Sequence, residues 1–304
     1  MSRNILDGKK IIFIGNSYVF YGNAVIRIPL TELTQKARSN DKGYFYQICK
    51  ACGADVSVTN WTFGGHGLSH IFGAPCAHNK ECFGENHEDY LEERNFDYVV
   101  VSAGGGLGAS KNIEADFNRI IDFFIKANPK VKFVCLGNLG AYGYSSYKYF
   151  LPEVLNYYKE LEKKGVIIAD WGTLVSDLIL GNVTPEGAVL KYNKESFIVS
   201  RTENDGFHPN ILSGYITALT LYCALTGESA VGKPYEFCSD ASINQRCDFE
   251  YYIREFYCLN GGKTNFPSVF NSKEDMLGIQ KLIDKYLERK PYRNFSFDTN
   301  QNQV

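Results

Sequence analysis

The run Tyr98-Val99-Val100-Val101-Ser102, entered through Phe96-Asp97 and followed by Ala103 and three glycines, has no polar face. Side chains alternate across a strand, so a strand apolar on both sides has to be covered on both sides. That is the situation of an inner strand in a parallel sheet flanked by helices. An antiparallel sheet with one wet face would read as alternation instead.

Other segments fit the same plan. Ile11–Ile14 is a second apolar run, ending in Gly15-Asn16-Ser17; residues 54–60 alternate, with Val56 and Val58 on one face; 130–138 and 165–170 complete a set of five strands. Between them lie helical patterns. Residues 44–52 precede Gly53, a short acidic stretch spans 88–94, and Ile113, Phe117, Ile120, Ile121 and Phe124 recur at helical spacing through 113–127. Residues 152–164 carry Pro152 near the start and Gly165 past the end, and 211–226 is rich in Leu, Ala, Tyr and Ile. The expectation is a three-layer α/β/α sandwich on a mostly parallel five-stranded sheet, within a domain of residues 1–227. Residues 228–304 read as an accessory helical extension, with a charged helix and a polar tail. In such a fold ligands gather at the carboxyl ends of the strands. The turn at Ser17, the irregular Gly/His/Cys loop 61–87 and the glycines after Ser102 all fall there.

Charge and hydropathy remove several function classes. A formal charge of -2 and a pI near 6.2 provide no field for nucleic acid or an anionic membrane surface. No apolar stretch reaches the ~20 residues of a membrane span. The polar start MSRNILDGKK runs straight into a strand without a signal peptide, so a cytoplasmic location is expected, although a leader removed earlier would leave the same chain. Most of the nine cysteines read as small buried groups; Cys49 and Cys52 form a CxxC on an amphipathic helix rather than in the turn of a zinc knuckle. Nothing in the sequence sets an oligomeric state.

Ser17, displayed where the first strand ends, is the candidate nucleophile. A serine hydroxyl needs a base, a group that orients the base, and donors for the oxyanion. Four of the five histidines sit in the 61–87 loop, while His208 lies in Asp205-Gly-Phe-His-Pro-Asn210, just before a helix. Asp205 can reach back to Nδ1 while Nε2 faces outward. Each signal has a plain alternative: Ser17 could cap the helix it precedes, and a lone DxxH is common. The turn is also not a GxSxG elbow, which counts against an ordinary α/β-hydrolase.

Together, GNSY at the first strand end, a glycine-rich second block, a glycine-rich end to the third strand and DGFHPN before the last core helix resemble the SGNH, or GDSL-like, hydrolase family over residues 10 to about 230. The resemblance implies Ser17 as nucleophile, His208 as base and then acid, and Asp205 as the orienting carboxylate. It implies Gly65, or Gly64 if the register slips, as the oxyanion glycine. The third block departs: the family's asparagine seat falls at Gly106, which has no side-chain donor. Losing one such donor costs on the order of 3 kcal/mol in the transition state. Ser102, Asn112, Asn138 or one of the amides of Gly104 to Gly106 are the candidate substitutes, and the sequence does not choose among them. Tyr18, Trp61, Phe63 and His66 are expected to line the substrate.

His66, His70, Cys76, His78 and Cys82 are superficially metal-like, but they lack tight ligand pairs or an HExxH unit, so no metal or cofactor is expected. Cys76 and Cys82 could bridge in an oxidising environment. The expected activity is that of a serine esterase removing a small acyl group, such as acetyl, from a carbohydrate or similar hydroxylated small molecule. The alternatives are a catalytically silent binding module of the same fold and an acyltransferase using the same triad.

Overall fold

The computed structural model describes residues 3–25, 43–64, 67–72, 91–102, 113–137, 150–192, 196–199, 208–240 and 273–293. Strands β1 (Lys10–Gly15), β2 (Ser57–Thr62), β3 (Tyr98–Ser102), β4 (Lys132–Leu136) and β5 (Ile167–Ala169) form one parallel sheet in the order β2-β1-β3-β4-β5. The strand order reverses at β1, which has β2 on one side and β3 on the other. Ser17 therefore sits at the switch point, where an open α/β sheet leaves a crevice for ligands.

Both faces of the sheet are dry, as the run at residues 98–102 requires. Ile11, Phe13, Val100, Val134 and Leu136 point into one core cluster, and Ile12, Ile14, Val99, Val101 and Cys135 point into the other. The second core is closed by Phe117, Ile120 and Phe124 of the helix Ile113–Ala127 and by Tyr158 and Leu161 of the helix Phe150–Lys163. The first is closed by Tyr44, Phe45 and Ile48 of the helix Tyr44–Ala51 and by the helix Ile211–Thr226, which is buried on every side from Ile211 to Cys223. In chain order the helices are α1 (Ser17–Phe20), α2 (Tyr44–Ala51), α3 (Leu68–Ile71), α4 (Ile113–Ala127), α5 (Phe150–Lys163), α6 (Trp171–Leu180), α7 (Ile211–Thr226) and α8 (Lys273–Arg289).

Helix α8 brings Met276, Ile279 and Ile283 into the same core cluster as α7. Its Gln280 amide donates to the Tyr215 hydroxyl at 2.9 Å and to the Lys233 carbonyl at 2.8 Å, so the buried amide is satisfied. Beyond α8, Lys290, Tyr292 and Arg293 converge on Glu162 of α5. Hydrogen bonds from Arg293 lead the effects that hold the Glu162 carboxyl at about 2.

Two local readings change. Leu91 to Arg94, expected to end an acidic helix, are not helical; Leu91 is buried in the second core, and Glu93 is committed to Lys10 and to the Asn95 amide. Helix α6 was not expected, although Asp170 caps it and Trp171, Leu174, Val175 and Leu178 bury one face. No described helix is long and apolar enough to cross a membrane.

Asp170 yields a stability prediction. Its carboxyl is buried at the end of β5 and accepts from the Thr173 amide and hydroxyl, yet desolvation outweighs those bonds and raises it to about 6. A carboxyl raised above its unfolded value contributes stability that is complete below that value and lost as pH rises through about 6. Asp170→Asn keeps a capping side chain that cannot ionise. The variant is expected to match the parent in urea unfolding near pH 4 and to exceed it near pH 8, by about 3 kcal/mol at most. Equal stability differences at both pH values would contradict a buried, reluctant carboxylate.

Candidate active site

Ser17 is the first residue of α1, directly after β1, and only 9% exposed. The residue that caps α1 is Asn16, whose side-chain oxygen accepts from the Tyr18 amide at 3.3 Å. With capping done by Asn16, the Ser17 hydroxyl is turned to another use.

His208 begins β7 (His208–Pro209), a two-residue strand paired antiparallel with β6 (Ile198–Val199), Val199 lying opposite His208. Asn210 then caps α7, accepting from the amides of Leu212 and Ser213, while its own amide donates to the Phe197 carbonyl at 3.0 Å. The Ser213 hydroxyl donates to the same carbonyl. The histidine backbone is thus tied to the segment 197–199, and His208 Nε2 lies 2.9 Å from Ser17 Oγ. This pair joins residues 191 apart in the chain.

The two segments meet backbone to backbone. After α1 the chain makes a 3-10 turn, Tyr21–Asn23, in which Gly22 takes a left-handed φ of 68°. A Cβ on Gly22 would lie 2.1 Å from the Asn210 carbonyl oxygen, and a Cβ on Gly214 would lie 1.9 Å from the Gly22 carbonyl oxygen. No side chain fits between them. The serine turn is thereby seated directly on the first turn of α7, which starts just beyond His208.

Aromatic rings close the histidine's surroundings. Tyr21 stacks on the imidazole with centroids 4.0 Å apart and planes 16° apart, and Tyr18 lies tilted at 5.7 Å. Tyr18 is otherwise a core residue, 1% exposed, and Trp61 is fully buried, its indole N–H donating to the Ile71 carbonyl. Both were expected against substrate; the pleat instead turns Trp61 into the second core, and neither offers a surface. Phe63 is partly buried and packs edge-on to Trp61.

Next to β1, the Phe63 amide donates to the Gly15 carbonyl at 2.9 Å, so the loop after β2 leaves alongside the serine turn. Gly64 is exposed there, next to Phe20 of α1. The Ser102 hydroxyl, one of the suggested substitutes, is buried beside Gly15 and has no hydrogen-bond partner among the described residues. It has no open surface from which to meet an oxyanion. Asp205, Gly65, Gly104 to Gly106, Asn112, Asn138, His66, Cys76, His78 and Cys82 lie outside the described residues. Among the described residues no group of three His, Cys, Asp or Glu side chains gathers.

Sequence reasoning named Ser17 and His208 but missed the seat that brings them together. Only a glycine immediately after the aromatic pair Phe20-Tyr21, and another one turn into α7, marked it. Neither is informative without the other.

No protein-family model and no curated protein matches the chain. Among solved structures it is similar to a catalytic mutant of an acetylxylan esterase from Geobacillus stearothermophilus, with 13% identity, 74% of this chain and 97% of that one covered, and a TM-score of 0.48. It is also similar to a DUF4886 family protein from Bacteroides uniformis, at 15% identity, 86% and 98% coverage and a TM-score of 0.47. A provisionally assigned SGNH hydrolase from Slackia heliotrinireducens aligns at 14% identity, 73% and 100% coverage and a TM-score of 0.43. Likenesses of this size say nothing about chemistry. The fold rests on the strand order itself, and the site on its own distances.

Proposed function

We propose that the chain is a serine esterase of the SGNH kind, removing a small acyl group such as acetyl from a carbohydrate or similarly hydroxylated small molecule. The Ser17 Oγ to His208 Nε2 distance of 2.9 Å carries this reading. A hydroxyl hydrogen-bonded to an imidazole at a sheet switch point has the arrangement that nucleophilic acyl transfer needs.

In the acylation step His208 Nε2 takes the proton as Ser17 Oγ attacks the carbonyl carbon, and returns it to the leaving alcohol as the tetrahedral intermediate collapses. Water, deprotonated by the same nitrogen, then attacks the acyl-enzyme and releases the acid. Asp205, three residues before the base, is proposed to orient the imidazole. Gly65, with Gly64 as alternate, is proposed to supply an oxyanion amide, and the amides near Gly106 to take the seat where a side-chain donor is absent. No cofactor enters these steps.

The test uses p-nitrophenyl acetate and an active-site phosphonate. Release of nitrophenol, with a phosphonate adduct mapped to Ser17 by mass spectrometry, is expected in the parent and absent in Ser17→Ala. Turnover that survives in Ser17→Ala, or a parent protein that never acquires the adduct, would sink the reading and leave a binding module of the same fold. Transfer of acetyl to an added sugar alcohol in preference to water would make the enzyme an acyltransferase.

A further inference from the structure

Backbone pairing fixes where His208 starts, but not the plane of its ring. The second side-chain torsion of histidine has a broad, roughly two-fold profile, so rotamer preference alone does not set the imidazole plane. In this site rotation of the ring is limited by an aromatic face. Tyr21 lies parallel to the imidazole at 4.0 Å and 16°, a stacked pair rather than the edge contacts seen elsewhere in the protein, such as Phe13 with Phe45 or Phe72 with Phe123.

The backbone that carries the ring is itself held in place. Tyr21 immediately precedes Gly22, whose left-handed backbone abuts the Asn210 carbonyl and Gly214. The residue that stacks on the base therefore belongs to the turn that seats the serine segment on α7. One turn thus bears on two quantities: the Ser17 to His208 separation and, alongside the orienting role proposed for Asp205, the plane of the imidazole.

There is also an electrostatic consequence. The face of a tyrosine ring carries the negative part of its quadrupole, and it attracts a cation placed over it. His208 becomes such a cation when it takes the serine proton, that is, as the tetrahedral intermediate forms and breaks. An interaction that strengthens at that moment raises kcat rather than substrate affinity.

Resting on the esterase reading above, we infer that Tyr21 is a positioning residue for His208, helping to set the plane of the imidazole and favouring its protonated form during acyl transfer. The test compares Tyr21→Phe with Tyr21→Leu in the full chain. Phe keeps the aromatic face; Leu fills the space without one. With p-nitrophenyl acetate, Tyr21→Phe is expected to keep the parent kcat within about twofold, and Tyr21→Leu to lower kcat about 3- to 30-fold with KM little changed. Proton NMR supplies a readout free of turnover: the His208 Hε1 resonance, shifted upfield by the stacked ring, should move downfield in Tyr21→Leu and hold its place in Tyr21→Phe.

A Leu variant with parental kcat would overturn the inference, as would a loss confined to KM, which would make Tyr21 a substrate contact. Equal losses in Phe and Leu would assign the effect to the hydroxyl and overturn it too. If the parent neither turns over ester nor takes the phosphonate, it is the esterase reading that fails. An Hε1 shift that fails to respond to Leu rejects the stack itself.

Discussion

Replacing His208 with alanine is expected to lower kcat for p-nitrophenyl acetate by roughly 10⁴- to 10⁶-fold, about as much as replacing Ser17. Among the described residues the hydroxyl of Ser17 faces the imidazole of His208 at 2.9 Å, and without that ring the serine proton loses its proposed acceptor. The fold should tolerate the change. His208 is only partly buried, and its contribution to the β6–β7 pair is made by backbone, which alanine keeps. Decisive information comes from the double variant. If Ser17 and His208 act as one unit, Ser17→Ala with His208→Ala together should be no slower than either alone, because each single change already removes the same step. Losses that multiply would mean two independent contributions, and a His208→Ala enzyme within tenfold of the parent would remove His208 from the mechanism.

Much of the framework was legible because it depends on local patterns. The apolar runs at 11–14, 98–101 and 132–136 became β1, β3 and β4, and the helical spacing of Phe117, Ile120 and Phe124 buried the face it predicted. Gly53, Gly165 and Gly227 follow their helices with positive φ, as C-terminal stop signals do. The fate of Trp61 was not legible. An aromatic residue next to a glycine-rich loop reads the same whether it points to substrate or to core, and only the register of Ile14 against both Trp61 and Val101 sends it inward. The role of Ser17 was ambiguous for a related reason: both Asn16 and Ser17 are good caps, and backbone geometry chose Asn16. Helix α6 was missed despite carrying its own signals, Asp170 before it and Gly181 after it, because it follows β5 with no loop between them.

What no local pattern could reveal is the seat of the serine turn on α7, and its disruption should lower both activity and stability. Gly214→Ala is a discriminating change, because two simple expectations have opposite signs. Judged as a helix residue, alanine in place of glycine should stabilise α7 by about 1 kcal/mol. Judged by its surroundings, the new methyl would lie 1.9 Å from the Gly22 carbonyl oxygen and 2.6 Å from its carbonyl carbon. Ordinary van der Waals contact begins near 3.4 Å, so one backbone has to retreat by more than an ångström. Helix α7 is buried on every side and has nowhere to go, whereas the serine turn is a short link after β1. The turn should give way, taking Ser17 and Tyr21 with it. A displacement of about 1 Å at reacting groups costs on the order of 10²-fold in rate, so kcat/KM should fall by at least that much. Overpacking should also lower stability by about 1–3 kcal/mol, reversing the helix expectation. Gly22→Ala should do the same from the other side, with left-handed backbone strain added to a 2.1 Å approach to the Asn210 carbonyl oxygen. Thermal unfolding and phosphonate labelling of Ser17, measured on both variants, separate the outcomes. A cooperative but less stable fold with slow labelling is the expected result; a Gly214→Ala protein that is more stable and labels at the parental rate would show that the serine turn is not seated on α7.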